Sequence, residues 1–555
     1  MMNQFQLDII EKLLENRGVT ADTRETFFNP LYEQLHSPLL LNDCASAVER
    51  ILLAVEKKER IAVYADFDCD GIPGAVVLHD FFKKINYSEF VHIYIPHRDE
   101  EGYGFHISAV DTLKKSGVSL IITVDVGCTS HDTVAYAGTL GIDTIITDHH
   151  ECTDNLPKAY AIMNPKLGQY PYADLCGAAV AFKLVQALII VGKQESNPLF
   201  ADITPGWEKW LLDMVGLATV ADIVPLTGEN RILAKFGLIV LRKSRRFGVV
   251  ALCKKARVMQ SRITEDDIAF SLAPRINSAS RVGDPDVAFQ LFATTDVTIA
   301  EASAKQIEQW NTQRKAASGV VTKAAKERIK QFESLPDVIV LGSHEWKTSL
   351  LGSVASSLVG TYNRPVCLWG REATGNIKGS ARSDGSVSMV LLLAGARPAI
   401  MQSGGHTGAG GYVVDPARVH ELGACILASY ATHKHSNKIA FVPDSELLLE
   451  QVAQPLLSAL DALRPYGEGN RHPIFSLHDI FITHTKQFGK NDEHLEVTIA
   501  SSRGHTVRGF AFFSNRESML GSITPETSIR VIGTVERDTF RGGVPTIKLL
   551  SVESL

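Results

Sequence analysis

The chain has 555 residues, 45% hydrophobic and 21% charged, which excludes a disordered, collagen-like or coiled-coil protein and allows about three or four domains. With 56 Lys and Arg against 62 Asp and Glu the net charge is −6, so bulk charge does not hold nucleic acid and only a local basic groove could. The eight cysteines (44, 69, 128, 152, 176, 253, 367, 425) are scattered without a CxxC, which predicts reduced thiols and neither a disulfide framework nor Cys-ligated zinc. The longest apolar stretch, around 184–191, is broken by Gln186 and flanked by Lys183 and Lys193, short of the roughly 18 residues of a membrane span. The opening MMNQFQLDIIEKLLEN has no basic-then-apolar pattern, so export is not expected.

In chain order, residues 1–50 predict helices joined by the Pro/Leu-rich NPLYEQLHSPLLL. Residues 51–225 alternate β-rich runs (IAVYAD, FVHIYI, SLIITV, DTIIT, AYAIMN) with segments of helical period, the pattern of βαβ units and a mainly parallel sheet. Residues 226–333 hold no convincing strand and end in a long polar helical pattern, a bridge between two lobes. A second α/β segment follows (VIVLG, SLLGSVASSLVGTY, RPVCLW, a glycine-rich patch at 404–411). From about 440 the chain is β-rich and hairpin-like, predicting a small barrel. The expected boundaries are 1–50 (N-terminal helical segment), 51–230 (first α/β lobe), 231–333 (helical connector), 334–438 (second α/β lobe) and 439–555 (an OB-like barrel). The fold class is α/β, two lobes with parallel sheets joined by a long helix, plus the barrel.

Four constellations could carry chemistry. Asp66-Phe67-Asp68-Cys69-Asp70-Gly71 closes a predicted parallel strand, and open α/β sheets place their sites at strand carboxyl ends. Three adjacent carboxylates raise one another's pKa unless a divalent cation neutralises them. A calcium loop or a capping cluster is the alternative, but Val77 stands where a calcium loop needs its closing Glu. Asp125 follows SLIITV, where an Asp can instead cap a helix. Asp148-His149-His150 ends DTIIT, either as a polar loop or as ligands of the Mn²⁺/Mg²⁺ class with no thiolate to favour zinc. Asp222 sits in the apolar GLATVADIVPL, costly to bury unless paired, metal-bound or used as a cap. Together the four can converge on one cleft and hold two cations, which activate a water and stabilise displacement at phosphorus. Elsewhere, GGHTGAGG (404–411) can cradle a phosphate or make a tight turn. Arg242-Lys243-Ser244-Arg245-Arg246 is a basic run, either a solvated face or a nucleic-acid contact. Arg503, Arg508, Arg516, Arg530, Arg537 and Arg541, with Phe510, Phe512 and Phe513, fit a single-strand platform on the barrel, with most of the Phe in its core.

These residues resemble the RecJ single-strand-specific 5′→3′ exonucleases of the DHH phosphoesterase superfamily. The resemblance runs through ADFDCDG, RDEEGYG, VDVGCTSH, TDHH, CGAAVAFKL, GLATVADIVPL, PRINSASR, GSARS, GGHTGAGG and RPYGEGN, in the family's order and spacing. It implies metal ligation by Asp68, Asp70, Asp125, His149 and Asp222, with two divalent cations, Mn²⁺ or Mg²⁺. Asp66 becomes an additional acidic catalytic position, and His150 faces the scissile phosphate. Substrate contacts are implied for Arg98, for Arg275, Asn277 and Arg281, for Ser380, Arg382 and Ser383, and for Gly405 and His406. The implied activity is hydrolysis of single-stranded DNA to mononucleotides in repair and recombination, with the strand threaded between the lobes. The implied setting is the cytoplasm, as a monomer, with no membrane, and with a single-strand-binding protein or a helicase as protein partner. The chain departs from the family at Tyr64 (His in related phosphoesterases and some RecJ proteins, which implies a poorer ligand set for one metal), Val126, Ser280, Lys347-Thr348-Ser349 and Ser357, as a divergent member. The alternatives are a DHH-family phosphodiesterase for oligonucleotides or cyclic dinucleotides, and a non-catalytic DNA-binding scaffold.

Overall fold

The computed structural model describes the chain except residues 1–3, 373–374, 435–440, 490–491, 493, 513, 515, 526 and 539–540. Its contacts divide it into two units, one of residues 29–314 with 465–471, the other of 1–28, 315–464 and 472–555.

The first unit is built on five strands, β1 (Arg60–Ala65), β2 (Val91–Tyr94), β3 (Val118–Val124), β4 (Asp143–Thr147) and β5 (Ala161–Met163), in the order β2-β1-β3-β4-β5. Every pairing is parallel. Such strands are covered on both faces and therefore read as unbroken Val/Ile runs. Alternate residues go to opposite cores. Ile61, Val63, Ile122 and Val124 pack with the helices Gly71–Lys84 and Gly177–Gln194, while Ala62, Tyr64, Ile121 and Ile146 pack with Ile107–Lys115 and His131–Thr139. The chain runs from β1 outward to β2, then crosses to β3 on the other side. The carboxyl ends of β1 and β3 therefore flank the switch point where such sheets bind ligands.

Helix Gly177–Gln194 is long and apolar enough to cross a membrane by length and composition, beyond what the broken apolar run suggested, yet 72% of it is buried inside the fold. It is a core helix, and it carries a buried charge. The Lys183 ammonium donates to Glu229 at 2.5 Å and to the His36 carbonyl at 2.7 Å, and Glu229 also accepts from Tyr170 (2.8 Å) and the His36 N–H (2.9 Å). Removing one member strands the other in a dry interior. Lys183→Met is expected to cost about 3–5 kcal/mol, and Lys183→Met with Glu229→Leu much less. Urea unfolding of both variants checks this, and equal losses would refute the pairing argument.

Residues 465–471 come from far along the sequence but join this unit. Leu226 N–H donates to the Glu468 carbonyl (2.7 Å), Tyr466 N–H to Glu265 (2.7 Å), and the Arg231 guanidinium to the Pro465 carbonyl (3.3 Å). The predicted bridge is the helix Val297–Ile329, whose 33 residues span about 50 Å. The chain passes from one unit to the other within it.

The second unit holds two sheets. β6 (Ile339–Gly342), β7 (Val366–Arg371), β8 (Ile377–Arg382), β9 (Ile400–Gly405) and β10 (Ala409–Val414) follow the order β6-β7-β8-β10-β9. The expected parallel geometry holds here for the β6–β7 pair alone, and the other pairings are antiparallel. β6 and β7 are neighbours joined through the helix Thr348–Tyr362, whereas the β7–β8 and β9–β10 links are too short for parallel crossovers, and β10 inserts between β8 and β9. β12 (Ile474–Phe488), β13 (His494–Ser501), β14 (Thr506–Ala511), β16 (Val544–Ser554) and β15 (Ile529–Asp538) close into a barrel through the β12–β15 pairing, with β11 (Ser445–Leu447) alongside β12. This is the small barrel that the regular strand spacing predicts.

Candidate metal centre

Each acidic cluster is delivered by the end of a regular element. After β1 the chain turns through Asp66–Asp70, and Gly71 begins the helix Gly71–Lys84. A side chain at 71 would run into the Asp66 carbonyl, so glycine alone allows this turn. Asp68 accepts from the N–H groups of Asp70 (2.8 Å) and Gly71 (3.2 Å). Both Asp70 oxygens sit on the amino end of helix Gly177–Gln194, accepting from Gly177 N–H (2.6 Å) and Ala178 N–H (2.8 Å), where the helix dipole favours an anion. After β3, Asp125 holds φ +62°, a left-handed conformation rare for a non-glycine residue and frequent at functional sites. Asp222 caps the carboxyl end of helix Leu212–Ala221 and precedes Ile223 at φ +62°.

Asp148 works as a clamp on the following histidines. Its carboxylate accepts from the N–H groups of His149 (2.7 Å), His150 (3.2 Å) and Cys128 (2.9 Å), and from His150 Nδ1 (2.8 Å). Burial opposes ionisation of Asp148, but these bonds hold its carboxyl below the usual range. Burial likewise disfavours the His150 cation, yet the Asp148 partner wins and raises its pKa. His149 is lowered by burial and is a neutral imidazole, the form that ligates metals.

The candidate ligands converge. His149 Nε2 lies 3.1 Å from Asp125 Oδ1, 3.6 Å from Asp222 Oδ2 and 3.7 Å from Asp70 Oδ2. Three groups have ligand atoms within 4.8 Å of one another: Asp66, Asp68 and Asp125; Asp70, His149 and Asp222; Asp125, His149 and His150. Asp66 thus stands among the ligand candidates. Asp66 Oδ1, Asp125 Oδ1 and His149 Nε2 are buried with no hydrogen-bond partner, and an orphaned buried acceptor is costly. Divalent cations fit this arrangement, because the donors are carboxylate oxygens and imidazole, the set suited to Mn²⁺ or Mg²⁺.

Burial first, and mutual repulsion second, raise the pKa of Asp66, Asp70 and Asp125, and push Asp222 up to about 9. A folded carboxyl that keeps its proton favours the folded state below the unfolded pKa. That contribution is lost as pH rises through the folded value. Metal-free stability is therefore expected to fall from about pH 4 to about pH 9, and cations should restore it by displacing the protons. The gain in melting temperature from Mn²⁺ should be larger at about pH 8 than at about pH 6. Equal gains would contradict this protonation pattern.

The other expected residues distribute as follows. The Arg98 guanidinium lies 5.2 Å from the centre of the Phe67 ring, beside the metal centre, and partly opposes the rise that burial and Asp68 impose on the Asp66 carboxyl. Asn277 accepts the Cys69 N–H at 2.8 Å and so fixes the acidic turn, a positioning contact between segments 208 residues apart. Arg275 is held by Glu308 at 2.5 Å and by the Ser271 carbonyl at 2.8 Å. Arg281 lies in the last turn of helix Ala273–Val282. In the second unit, Ser380 and Arg382 are on β8, Arg382 is registered with Ala409, and Ser383 N–H donates to the Gly408 carbonyl at 2.9 Å. Gly405 and His406 form the adjoining β9–β10 turn, so GSARS and GGHTGAGG share one end of that sheet. Tyr64 is fully buried, stacks on Tyr94 at 5.3 Å and donates to the Gly104 carbonyl at 2.7 Å, so its hydroxyl is already bound. On the barrel, Arg508, Arg530, Arg537 and Arg541 are in ion pairs with Glu496, Glu553, Asp461 and Glu496. Phe510 packs edge-on against Phe488, Phe512 is 51% exposed, and Phe513 lies outside the described residues.

Comparison with known proteins gives this centre a family. Residues 60–218 match the DHH family, N-terminal domain, and residues 443–549 match the RecJ OB domain. The single-stranded-DNA-specific exonuclease RecJ of Bacillus subtilis is 31% identical over 95% of this chain, which spans 65% of that relative's length. The crystal structure of Thermus thermophilus RecJ in complex with Mn²⁺ superposes with TM-score 0.79 at 26% identity, covering 98% of this chain and 76% of that one. A crystal structure of exonuclease RecJ bound to manganese matches at 30% identity and TM-score 0.58, over 71% of this chain and 96% of the other. On these grounds the chain belongs to the RecJ family of DHH-type exonucleases.

Proposed function

We propose that the protein is a metal-dependent exonuclease that hydrolyses single-stranded DNA from its 5′ end to mononucleotides, in repair and recombination. The observation that carries this reading is the convergence of orphaned, buried ligand atoms at the carboxyl ends of β1, β3 and β4. Asp68, Asp70, Asp125, His149 and Asp222 are assigned as the holders of two cations, with Asp66 beside them. Cations so held supply Lewis acidity to a water and to the scissile phosphate. The chain's own residues do the rest. The helix amino end fixes Asp70, Asn277 fixes the acidic turn, and Asp148 orients His150 so that its other ring nitrogen, 3.5 Å from the Tyr103 hydroxyl, can donate to a phosphate oxygen. Arg98 offers a charge beside the centre for a 5′ phosphate.

The assigned segments keep their expected roles. Residues 51–230 carry the chemistry, 334–438 bind the strand through Arg382, Ser380, Ser383, Gly405 and His406, and 439–555 form a single-strand platform. Arg275, Asn277 and Arg281 support the acidic turn and the strand from helix Ala273–Val282. On the platform Phe512 is the candidate for stacking, and the ion-paired arginines offer less free charge than their number suggests. A monomer working in the cytoplasm, with a single-strand-binding protein or a helicase as partner, completes the reading, and eight free cysteines suit a reducing compartment. Digestion of 5′- and 3′-labelled single strands, with Mn²⁺ and with a chelator, tests it. Immediate release of the 5′ label as a mononucleotide, in Mn²⁺ only, is expected. Immediate release of the 3′ label, or metal-independent digestion, would refute it.

A further inference from the structure

The basic run 242–246 has no part in the metal centre, yet it borders a hollow of about 620 Å³ in the first unit. That volume is within the roughly 300–1,000 Å³ of small-ligand sites. Four segments build most of it, one of them residues 293–295 at the end of helix Pro285–Ala293. Lys83 and Lys84 come from the last turn of helix Gly71–Lys84, Trp207 and Trp210 from the segment before helix Leu212–Ala221, and Arg245 and Phe247 from the turn into helix Phe247–Ala256. The metal-site ends of the first two helices, at Asp70 and Asp222, are their opposite ends. Fourteen helical residues put the hollow about 20 Å from the metal centre.

Its charges are already sorted. Asp80 and Asp213, two of the three carboxylates in the lining, are bound by buried Arg246 at 2.9 and 3.1 Å, which leaves Asp202. Lys83, Lys84 and Arg245 make no ion pair among the described residues, so the mouth carries an uncompensated positive charge. Beside it Trp210 is 59% exposed and Phe247 43% exposed, two aromatic faces open to a ligand in the hollow. Free cations next to open aromatic faces match a phosphate joined to a flat base: the ring stacks, and lysine and arginine meet the anion.

We propose that this hollow is a second nucleotide-binding site, taking one base on Trp210 and its phosphate on Lys84 and Arg245. The nucleotide could be a unit of a strand passing over this face or a free mononucleotide, and the two sources are separable. The full chain, in chelator so that nothing is digested, is titrated with thymidine monophosphate and with a short oligothymidylate while tryptophan fluorescence is followed. Saturable quenching is expected, largely lost in Trp210→Phe. In Lys84→Glu with Arg245→Glu the half-saturating concentration should rise at least about tenfold. Saturation by the mononucleotide assigns the free source, and by the oligonucleotide alone the strand. With Mn²⁺ added, the charge-reversed protein should cut a very short strand at the wild-type rate, because none of these residues borders the metal ligands. The proposal is overturned if neither probe gives a saturable signal, if the variants bind as wild type does, or if an acidic peptide without bases competes as well as the oligonucleotide.

Discussion

Asp125→Ala is expected to lower digestion of single strands by on the order of a thousandfold or more, about 4 kcal/mol of barrier, with the fold intact. Asp125 belongs to two of the three ligand groups, and its Oδ1 is the atom nearest His149 Nε2, at 3.1 Å. Both groups lose a donor with it. The fold should survive because the carboxylate is a burden to the metal-free protein: buried and surrounded by Asp70, Asp68, Asp66 and Asp222, its pKa is driven well up. Removing it relieves that repulsion. Against this stands about 1–2 kcal/mol for alanine in a left-handed conformation, which Asp125→Asn avoids. Both variants should melt near the wild-type temperature in chelator and lose most of the stabilisation by Mn²⁺. Near wild-type digestion by either one in Mn²⁺ would sink the assignment.

The centre was legible because parallel strands covered on both faces leave a sharp trace in the sequence. IAVYA, SLIITV and DTIIT are short runs rich in Ile and Val, and each is followed at once by the aspartate that the sheet presents at its carboxyl end. Contacts between distant segments were not legible. Nothing near Asn277 signals a bond to the Cys69 N–H, 208 positions away, and nothing in RPYGEGN announces that its backbone accepts from Leu226. By the resemblance Tyr64 takes the place of a histidine, which implies a poorer ligand set for one metal. Strand alternation, however, sends its ring into the Phe105 and Tyr94 packing, where its hydroxyl is already bound. Charge was the poorest guide. Arginine-rich runs on the barrel looked like a platform, but their carboxylate partners lie on neighbouring strands or helices that composition does not pair. The second sheet was expected to be parallel because its apolar runs look like those of the first, and short runs do not encode strand direction.

Gly177→Ala tests whether the centre depends on this packing as closely as the geometry says. A methyl group at 177 would lie 2.5 Å from Asp125 Cβ and 2.9 Å from its Cα, while the N–H of the same residue holds Asp70. Alanine is the better helix former by about 1 kcal/mol, so propensity alone predicts a gain. The contact predicts the reverse, because real Cβ atoms do not approach so closely. Either Asp125 moves or the helix start retreats from Asp70, and both ligand groups loosen. A displacement near 1 Å costs on the order of a hundredfold in rate, and the Mn²⁺ concentration for half-activity should rise with it. Gly192→Ala, in the last turn of the same helix, is the control. Its methyl group would meet the Phe200 ring at 2.7 Å, a core side chain about 20 Å along the helix from residue 177. That variant should lose stability while keeping the wild-type Mn²⁺ requirement. If Gly177→Ala instead shows an unchanged Mn²⁺ requirement, and loses activity only in step with its melting temperature as Gly192→Ala does, residue 177 is a packing position and the coupling between helix start and metal ligands is wrong.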